Sequence, residues 1–478
     1  MVFSSIEFLF YFLPIFLALY FALPVKNALF LAASLLFYAW GEAWYVLLLV
    51  GSGLINALLA LWLERSQDGR RKLLLAMGVA LNLLVLAAFK YLDFAVAAAN
   101  VVLASLAQAS LPLPAVHLPI GISFFTFQAI SYLMDVSRRD IAAERNPANV
   151  LLYIAMFPHQ LAGPIVRFGQ VIAKLRERRA SIDKFSLGTS LFVIGLAQKV
   201  LIANTVAVAA DGIFALPTAE LNAALAWLGA ACYTLQIYFD FCGYSVMAAG
   251  LALMLGIYFP RNFLYPYTSL SITEFWRRWH ISLSTWFRDY LYIPLGGNRH
   301  GPWRTYANLA IVFLLCGLWH GAAWTFVAWG AYHGALLVIE RLGLGAWLEK
   351  WPRECRSLYT MLAVIIGWVL FRATSLEQFG DFVGALAGFG RGEGIIHHVW
   401  QYLQPDVALA LAWGAVAATP YFAKRIKLLS YWPQSDAEAA TAVRHIHAGI
   451  ALLLLSLAVL SITSIAAGNY NPFIYFRF

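Results

Sequence analysis

The sequence predicts an all-α, polytopic integral membrane protein, and its composition and its apolar runs support this fold class. Of its 478 residues, 62% are hydrophobic and only 12% are charged. A chain with so few polar side chains cannot face water over its whole surface. Since hydrocarbon offers no partner for an unpaired backbone amide, we expect the membrane spans to be helices.

Apolar runs recur from residue 8 to residue 467, and those at 73–89 and 450–465 have a length suited to a bilayer. Several others are too short to cross alone. At about twenty residues per crossing, we expect roughly eleven to thirteen membrane helices, with additional re-entrant or interfacial helices. The polar stretches between the runs are loop-sized, so we predict one transmembrane domain over residues 1–478.

The net charge of +9 favours contact with lipid headgroups over contact with nucleic acid. In a membrane protein, basic side chains mark the cytoplasmic loops and bind anionic lipids. We therefore place the basic clusters around 65–72, 167–184 and 277–304 at the cytoplasmic face. The four cysteines are scattered without CxxC spacing, and no metal site or bound cofactor is predicted.

The segment 271–292 is rich in aromatic and basic residues. Ser271 and Glu274 have the spacing of a capping box, which predicts a helix that starts here and continues towards residue 292. Arginines among aromatic side chains are typical of a helix that lies at the membrane boundary. A second interpretation places His280 in a functional site, with Arg277 nearby to attract an anionic donor.

His320 ends an apolar run in the sequence Gly317-Leu-Trp-His-Gly321. A charged group is costly within lipid, so an intramembrane histidine is a candidate functional residue, and His320 is our leading catalytic residue. The alternative is a histidine that is merely hydrogen-bonded between helices. Gly317 and Gly321 would allow another backbone or a thin substrate to approach closely. For His333, a packing role is at least as consistent with the sequence.

Two more polar residues lie in apolar surroundings. His159 lies between two prolines and a glycine, which predicts a broken helix of the kind tolerated beside a cavity or other protein. Asp240 lies within an aromatic run and must be paired or protonated; a hydrogen bond between helices is one explanation and a substrate contact is another. The GxSxG and HExxH motifs of soluble hydrolases and metalloproteases are absent.

These segments together resemble the membrane-bound O-acyltransferase family, and in particular its alginate O-acetyltransferase branch. The long string from Glu274 to Tyr292 and the Trp-His-Gly sequence at 319–321 are the most specific parts of the resemblance. The other matching segments are 1–17, 118–124, 157–164, 238–245 and 295–299. Cys242 and Val246 depart from the family pattern, where serine and aspartate are expected.

The resemblance implies that His320 is the family's essential histidine and that His280 is its second signature residue. It also implies a ring of helices around a central tunnel in the bacterial inner membrane. An acyl thioester, expected to be acetyl-CoA, would donate from the cytoplasm. The acceptor would be an exopolysaccharide such as alginate, reached with periplasmic acetyltransferase partner proteins.

From the residues and the resemblance together, we expect six side chains to bind substrate: His159, Asp240, Trp276, Arg277, Arg278 and Trp319. Two alternatives remain open at this stage. One is transfer of D-alanine or a longer acyl chain to another acceptor, and the other is a transporter or flippase without catalysis. The aromatic C-terminal segment 469–478 is interpreted either as an external docking element or as an interfacial anchor.

Overall fold

The computed structural model describes residues 2–390, 392–394, 396–468 and 470–472, and within these ranges the regular secondary structure is helical. The all-α prediction is confirmed. By length and composition, six helical stretches of the described residues can cross a membrane. They are Lys26–Arg65, Asp68–Lys90, Ile182–Phe214, Ala223–Met254, Arg353–Arg372 and Ala448–Ala466.

The number of long apolar helices among the described residues is lower than the expected eleven to thirteen. Three further apolar helices, Glu7–Ala22, Leu92–Ser105 and Pro405–Ala417, are shorter. One reason is that the apolar stretch between residues 222 and 259 contributes one long helix, Ala223–Met254. Another is that the helix that starts at Pro147 is broken at Met156, where ψ is 121°.

The chain divides into two compact units, residues 1–179 and 180–478, and each is described by itself. The prediction of a single domain stays a prediction. In the N-terminal unit, α6 is buried along most of its length and packs against α3 and α4. The helices are α1 (Leu13–Ala22), α2 (Lys26–Glu42), α3 (Val46–Arg65), α4 (Asp68–Lys90), α5 (Leu92–Ser105), α6 (Ile122–Arg138), α7 (Pro147–Ala155), α8 (Phe157–Gln160) and α9 (Phe168–Arg176).

In the C-terminal unit, the first helices are α10 (Ile182–Ala197), α11 (Asn204–Phe214), α12 (Ala223–Met254), α13 (Ile272–Arg278), α14 (Ile281–Phe287), α15 (Pro302–His320) and α16 (Trp324–Ile339). They are followed by α17 (Gly345–Leu348), α18 (Arg353–Arg372), α19 (Leu376–Gly384), α20 (Val399–Tyr402), α21 (Pro405–Ala417), α22 (Tyr421–Arg425), α23 (Asp436–Val443) and α24 (Ala448–Ala466).

The long helix α12 is the centre of the C-terminal unit. It packs against α10 at a close approach, where a Cβ added to Gly195 would lie 2.5 Å from the carbonyl oxygen of Gly243. Small residues at such a crossing let two helix backbones gain van der Waals contact within a membrane. The small residues therefore let α10 and α12 lie close together.

Candidate functional site

The helix α13 begins as the sequence predicts. The Ser271 hydroxyl oxygen accepts a hydrogen bond from the backbone N–H of Glu274 at 3.0 Å. The Glu274 carboxylate reaches back and accepts from the backbone N–H of Leu270 at 2.8 Å. These contacts satisfy N–H groups that have no partner within the helix, so the predicted helix start is confirmed.

The helix does not continue to residue 292, which corrects the prediction of one long helix. It ends at Arg278, and His280 adopts a left-handed conformation with φ 43° and ψ 56° before α14 starts at Ile281. Asn262 stabilises this break, because its backbone carbonyl accepts from Ile281 N–H at 2.9 Å and its side chain accepts from Ser282. A non-glycine residue with positive φ costs about 1–3 kcal/mol, and such residues cluster at functional sites.

His280 is buried at this break, with 1% of its surface exposed. The Phe241 ring of α12 meets the imidazole edge-on, with 4.5 Å between ring centroids. Within the described part of the chain, neither ring nitrogen of His280 has a hydrogen-bond partner. A buried polar group without a partner costs about 1–3 kcal/mol. A ligand at His280 could provide the hydrogen-bond partner that the described residues do not.

His320 is the last residue of α15 and is 9% exposed. Three aromatic rings surround its imidazole, with centroid distances of 4.9 Å to Trp319, 5.1 Å to Trp329 and 5.1 Å to Phe371. The helix ends here because Gly321 is extended, with φ −161° and ψ 153°. The imidazole is therefore held in a mainly apolar cage.

The two predicted catalytic histidines belong to one cluster. Trp319 contacts both of them, with its ring centroid 6.2 Å from that of His280 and 4.9 Å from that of His320. The structure thus brings two residues that lie forty positions apart in the sequence against one tryptophan ring, and their predicted catalytic roles stay predictions.

His333, for which the sequence left a packing role open, belongs to the same cluster. Its ring lies 5.1 Å from that of Trp276 and 4.9 Å from that of Trp329. In the ranges that the structure describes, both nitrogens of His333 and the indole nitrogens of Trp276 and Trp329 have no hydrogen-bond partner. Sequence reasoning passed over Trp329 and gave no reason to select His333.

The helices α15 and α16 are held close together by glycine. A Cβ on Gly317 would collide with the carbonyl oxygen of Phe326 and lie 3.1 Å from the Cα of Gly330. The predicted close approach of a second backbone at Gly317 is therefore confirmed. At Gly321, the neighbour is the Phe326 ring instead of a backbone.

Asp240 forms an ion pair with Lys199, with 2.8 Å between the carboxylate Oδ1 and Nζ. Both side chains are at most 3% exposed. Lys199 also donates to Asn204 Oδ1 at 2.6 Å and to the carbonyl oxygen of Pro472. The expectation that Asp240 is paired is confirmed, although the sequence did not identify its partner. Its predicted contact with substrate stays a prediction.

The two predicted donor-binding arginines have different surroundings. Arg278 lies 2.6 Å from the Glu274 carboxylate, so its guanidinium is already engaged in an ion pair. Arg277 is exposed. The predicted role of both arginines in binding the donor stays a prediction.

His159 lies in the N-terminal unit on the short helix α8 and is fully buried. Its Nε2 lies 2.8 Å from the carbonyl oxygen of Tyr153, which requires the N–H on that nitrogen. The Gln128 amide nitrogen is 3.3 Å from the same atom. The predicted broken helix is confirmed, and the predicted role of His159 in the substrate path stays a prediction.

The C-terminal segment is described only at 470–472, and Asn469 and residues 473–478 lie outside the described residues. Tyr470 donates to Asp211 at 2.9 Å, and the Asn471 side chain accepts from Asn204 at 3.0 Å. These three residues therefore bind their own chain. The remainder of the proposed docking element stays a prediction.

Comparison with known proteins finds a family model and relatives that are all named for acyl transfer. The model of the membrane-bound O-acyltransferase family matches residues 122–378. Over the full length of both chains, the sequence is 43% identical to the probable alginate O-acetylase AlgI of Pseudomonas putida. It is 37% identical to the peptidoglycan O-acetyltransferase of Helicobacter pylori, over 79% of this chain and 78% of that protein. A teichoic acid D-alanyltransferase of Bacillus subtilis is 32% identical over 52% of this chain and 65% of its own length.

Proposed function

Because the chain belongs to the membrane-bound O-acyltransferase family, we propose that it moves an acetyl group from a cytoplasmic thioester to a hydroxyl of an extracytoplasmic polysaccharide such as alginate. Family membership makes it a membrane acyltransferase and sets aside the transporter or flippase alternative. The observation that carries the proposal is that two buried histidines, His280 and His320, both contact the Trp319 ring.

In the proposed reaction, His320 is the general base. Its neutral imidazole takes the proton of the acceptor hydroxyl, and the oxygen attacks the carbonyl carbon of the thioester. The tetrahedral intermediate collapses, the C–S bond breaks, and the departing thiolate takes the proton back from the imidazolium. The apolar cage of His320 supports this role, because burial disfavours the charged form of histidine and keeps a neutral base available.

His280 is proposed to hydrogen-bond the thioester or the developing oxyanion. Its two unpartnered ring nitrogens, within the described residues, support a role in ligand binding. Exclusion of water by the surrounding aromatic rings would suppress hydrolysis of the donor. Acetyl-CoA is the proposed donor, and Arg277 with Arg278 would bind its phosphates.

The relatives point to acceptor polymers of different kinds. The names of these relatives include an alginate O-acetylase, a peptidoglycan O-acetyltransferase and a teichoic acid D-alanyltransferase. We favour O-acetylation because the two relatives with higher identity are named for it. Location in the bacterial inner membrane and cooperation with periplasmic acetyltransferase proteins are part of the same proposal.

Mass spectrometry of the surface polysaccharide tests the proposal and identifies the acyl group. Cells that produce His320→Ala should lose the ester, since a general base contributes roughly 10²–10⁴-fold. His300→Ala removes an exposed loop histidine and serves as the matched control. Full acetylation by a His320→Ala protein present in the membrane at normal amounts would refute the proposed mechanism. If the ester were D-alanyl or a longer acyl group, the donor would not be an acetyl thioester.

A further inference from the structure

Three neighbouring side chains, of which Trp329 contacts His320, are deeply buried and have no hydrogen-bond partner among the described residues. His333 and Trp329 on α16 are each 1% exposed, and Trp276 on α13 is 8% exposed. In the described residues, no group accepts a hydrogen bond from either indole N–H or pairs with either nitrogen of His333. Native proteins rarely leave buried polar groups in this state, and such groups are often explained by a ligand.

The three rings form a compact set, which we call the indole–imidazole triangle. The ring centroids are 5.6 Å apart for Trp276 and Trp329, 5.1 Å for Trp276 and His333, and 4.9 Å for Trp329 and His333. The Trp329 ring also contacts His320 at 5.1 Å. The triangle therefore adjoins the proposed base directly.

The neighbouring Trp368 shows that this part of the fold can provide a hydrogen-bond acceptor for an indole N–H. The Trp368 ring stacks on Trp329 with 6.4 Å between centroids, and its N–H donates to the Tyr267 hydroxyl at 3.1 Å. The N–H of Trp329 therefore differs from that of Trp368, which has an acceptor. On the other side, His333 Nε2 lies against Gly367, where an added Cβ would be only 2.6 Å away. We infer that Nδ1 is the nitrogen that can serve a ligand.

The chemistry of the triangle defines what it can bind. An indole nitrogen only donates, and a neutral imidazole contributes one further N–H. Three donors held among uncharged rings suit a small group that accepts hydrogen bonds and carries no full charge in its ground state. A carbonyl oxygen meets both conditions.

We propose that Trp276, Trp329 and His333 bind the carbonyl oxygen of the acyl group and stabilise the oxyanion that forms there. This inference rests on the proposed function. When the acceptor oxygen attacks, the C=O bond becomes C–O⁻, and the oxyanion accepts from the N–H groups of the triangle. When the C–S bond breaks, the carbonyl is restored. His280, whose ring contacts the same Trp319 ring as His320, then keeps the other role proposed for it, a hydrogen bond to the thioester.

Paired tryptophan substitutions test the triangle. Trp329→Phe keeps an aromatic ring and removes an N–H that has no partner, whereas Trp368→Phe removes an N–H that is bonded to Tyr267. We expect Trp329→Phe to lower ester formation per enzyme molecule by about 10²–10³-fold, as removal of one oxyanion donor does. Because this substitution breaks no hydrogen bond within the protein, it should not lower the unfolding temperature for that reason. Trp368→Phe should lower the unfolding temperature and keep most of the activity.

His333 gives a second, independent measurement. We expect His333→Phe to lower ester formation at least tenfold while the unfolding temperature stays equal or rises, because a buried unpartnered polar group is removed. His333→Gln retains N–H groups and should recover part of the activity. Ester content of the surface polysaccharide and unfolding of the purified full chain in detergent are the two readouts.

The outcomes separate this inference from the proposed function. If His320→Ala abolishes ester formation while Trp329→Phe and His333→Phe remain fully active, the triangle does not bind the carbonyl and the general base stands. If both substitutions lower activity only as much as they lower the amount of folded protein, the three side chains have a packing role and the inference is overturned. If His320→Ala remains active, the proposed function itself fails.

Discussion

Glu340 and Ile272 are joined by a hydrogen bond of 2.6 Å between the Glu340 carboxylate and the backbone N–H of Ile272. The second carboxylate oxygen accepts from the backbone N–H of Thr273 at 2.9 Å and from its hydroxyl at 2.7 Å. Glu340 directly follows the helix that carries His333, and Ile272 begins the helix that carries Trp276. A carboxylate at a helix N-terminus satisfies free N–H groups and the helix dipole, so this contact fixes two helices of the site together.

Substitution of Glu340 should therefore affect both stability and activity. Glu340→Ala leaves buried N–H groups without an acceptor, and we expect a loss of about 1–3 kcal/mol in unfolding free energy. Acyl transfer should fall as Trp276 loses its position, and Glu340→Gln, which keeps one acceptor oxygen, should be intermediate. Thermal unfolding and ester formation measure the two effects. Glu349→Ala, at an exposed glutamate nearby, is the control, and equal behaviour of the two alanine variants would contradict the role of Glu340.

The buried pair of Lys199 and Asp240 gives a prediction that separates structure from substrate binding. Lys199→Met leaves the Asp240 carboxylate without its cation, and breaking one partner of a buried ion pair costs about 3–5 kcal/mol. The double variant Lys199→Met/Asp240→Leu should recover much of that loss, because no buried charge remains.

Activity of the double variant decides the role of Asp240. If the carboxylate only pairs with Lys199, a stable double variant should still transfer acyl groups. A double variant that unfolds at the normal temperature yet is inactive would support the predicted substrate contact. Single Asp240→Leu and Lys199→Met proteins, measured by the same thermal unfolding, complete the double-mutant cycle.

The pH dependence of stability should reflect Glu144 in the loop between α6 and α7. Burial raises the pKa of this carboxyl, but hydrogen bonds from the Asn146 backbone and from Arg176 outweigh burial and lower the pKa below its ordinary value. A carboxyl whose pKa is lowered by folding stabilises the folded state above its unfolded pKa of about 4.3, and this contribution is lost as the pH falls through the folded pKa.

Glu144→Gln should thus reduce stability at neutral pH and weaken the further loss at acidic pH. Thermal unfolding of the purified chain between about pH 7 and about pH 3 measures this dependence. Glu177→Gln, at an exposed glutamate of the same unit, should keep the profile of the unmodified chain. If Glu144→Gln had the same profile as well, the pair with Arg176 would not contribute to stability.

The sequence predicts those parts of the structure that depend on local spacing or on composition. The start of α13 at Ser271 follows from a capping pattern within four residues, and the need to pair Asp240 follows from its apolar surroundings. The break at His280 was not predictable, because it depends on Asn262, eighteen residues earlier in the chain. For the same reason, His333 could not be distinguished from a packing residue, since its neighbours come from other helices.

The close approach of α15 and α16 is the feature on which the position of His320 depends most directly. Gly317→Ala would place a Cβ against the Phe326 carbonyl, and a backbone atom cannot move aside as a side chain can. We expect a loss of about 1–3 kcal/mol in unfolding free energy from overpacking. Ester formation should fall further than the loss of folded protein explains, because His320 lies one turn along the same helix.

Gly384→Ala, where an added Cβ meets nothing within 4 Å, is the matched control for Gly317→Ala and should leave both measurements nearly unchanged. Equal activity of the two alanine variants would mean that acyl transfer does not require this spacing between the helices.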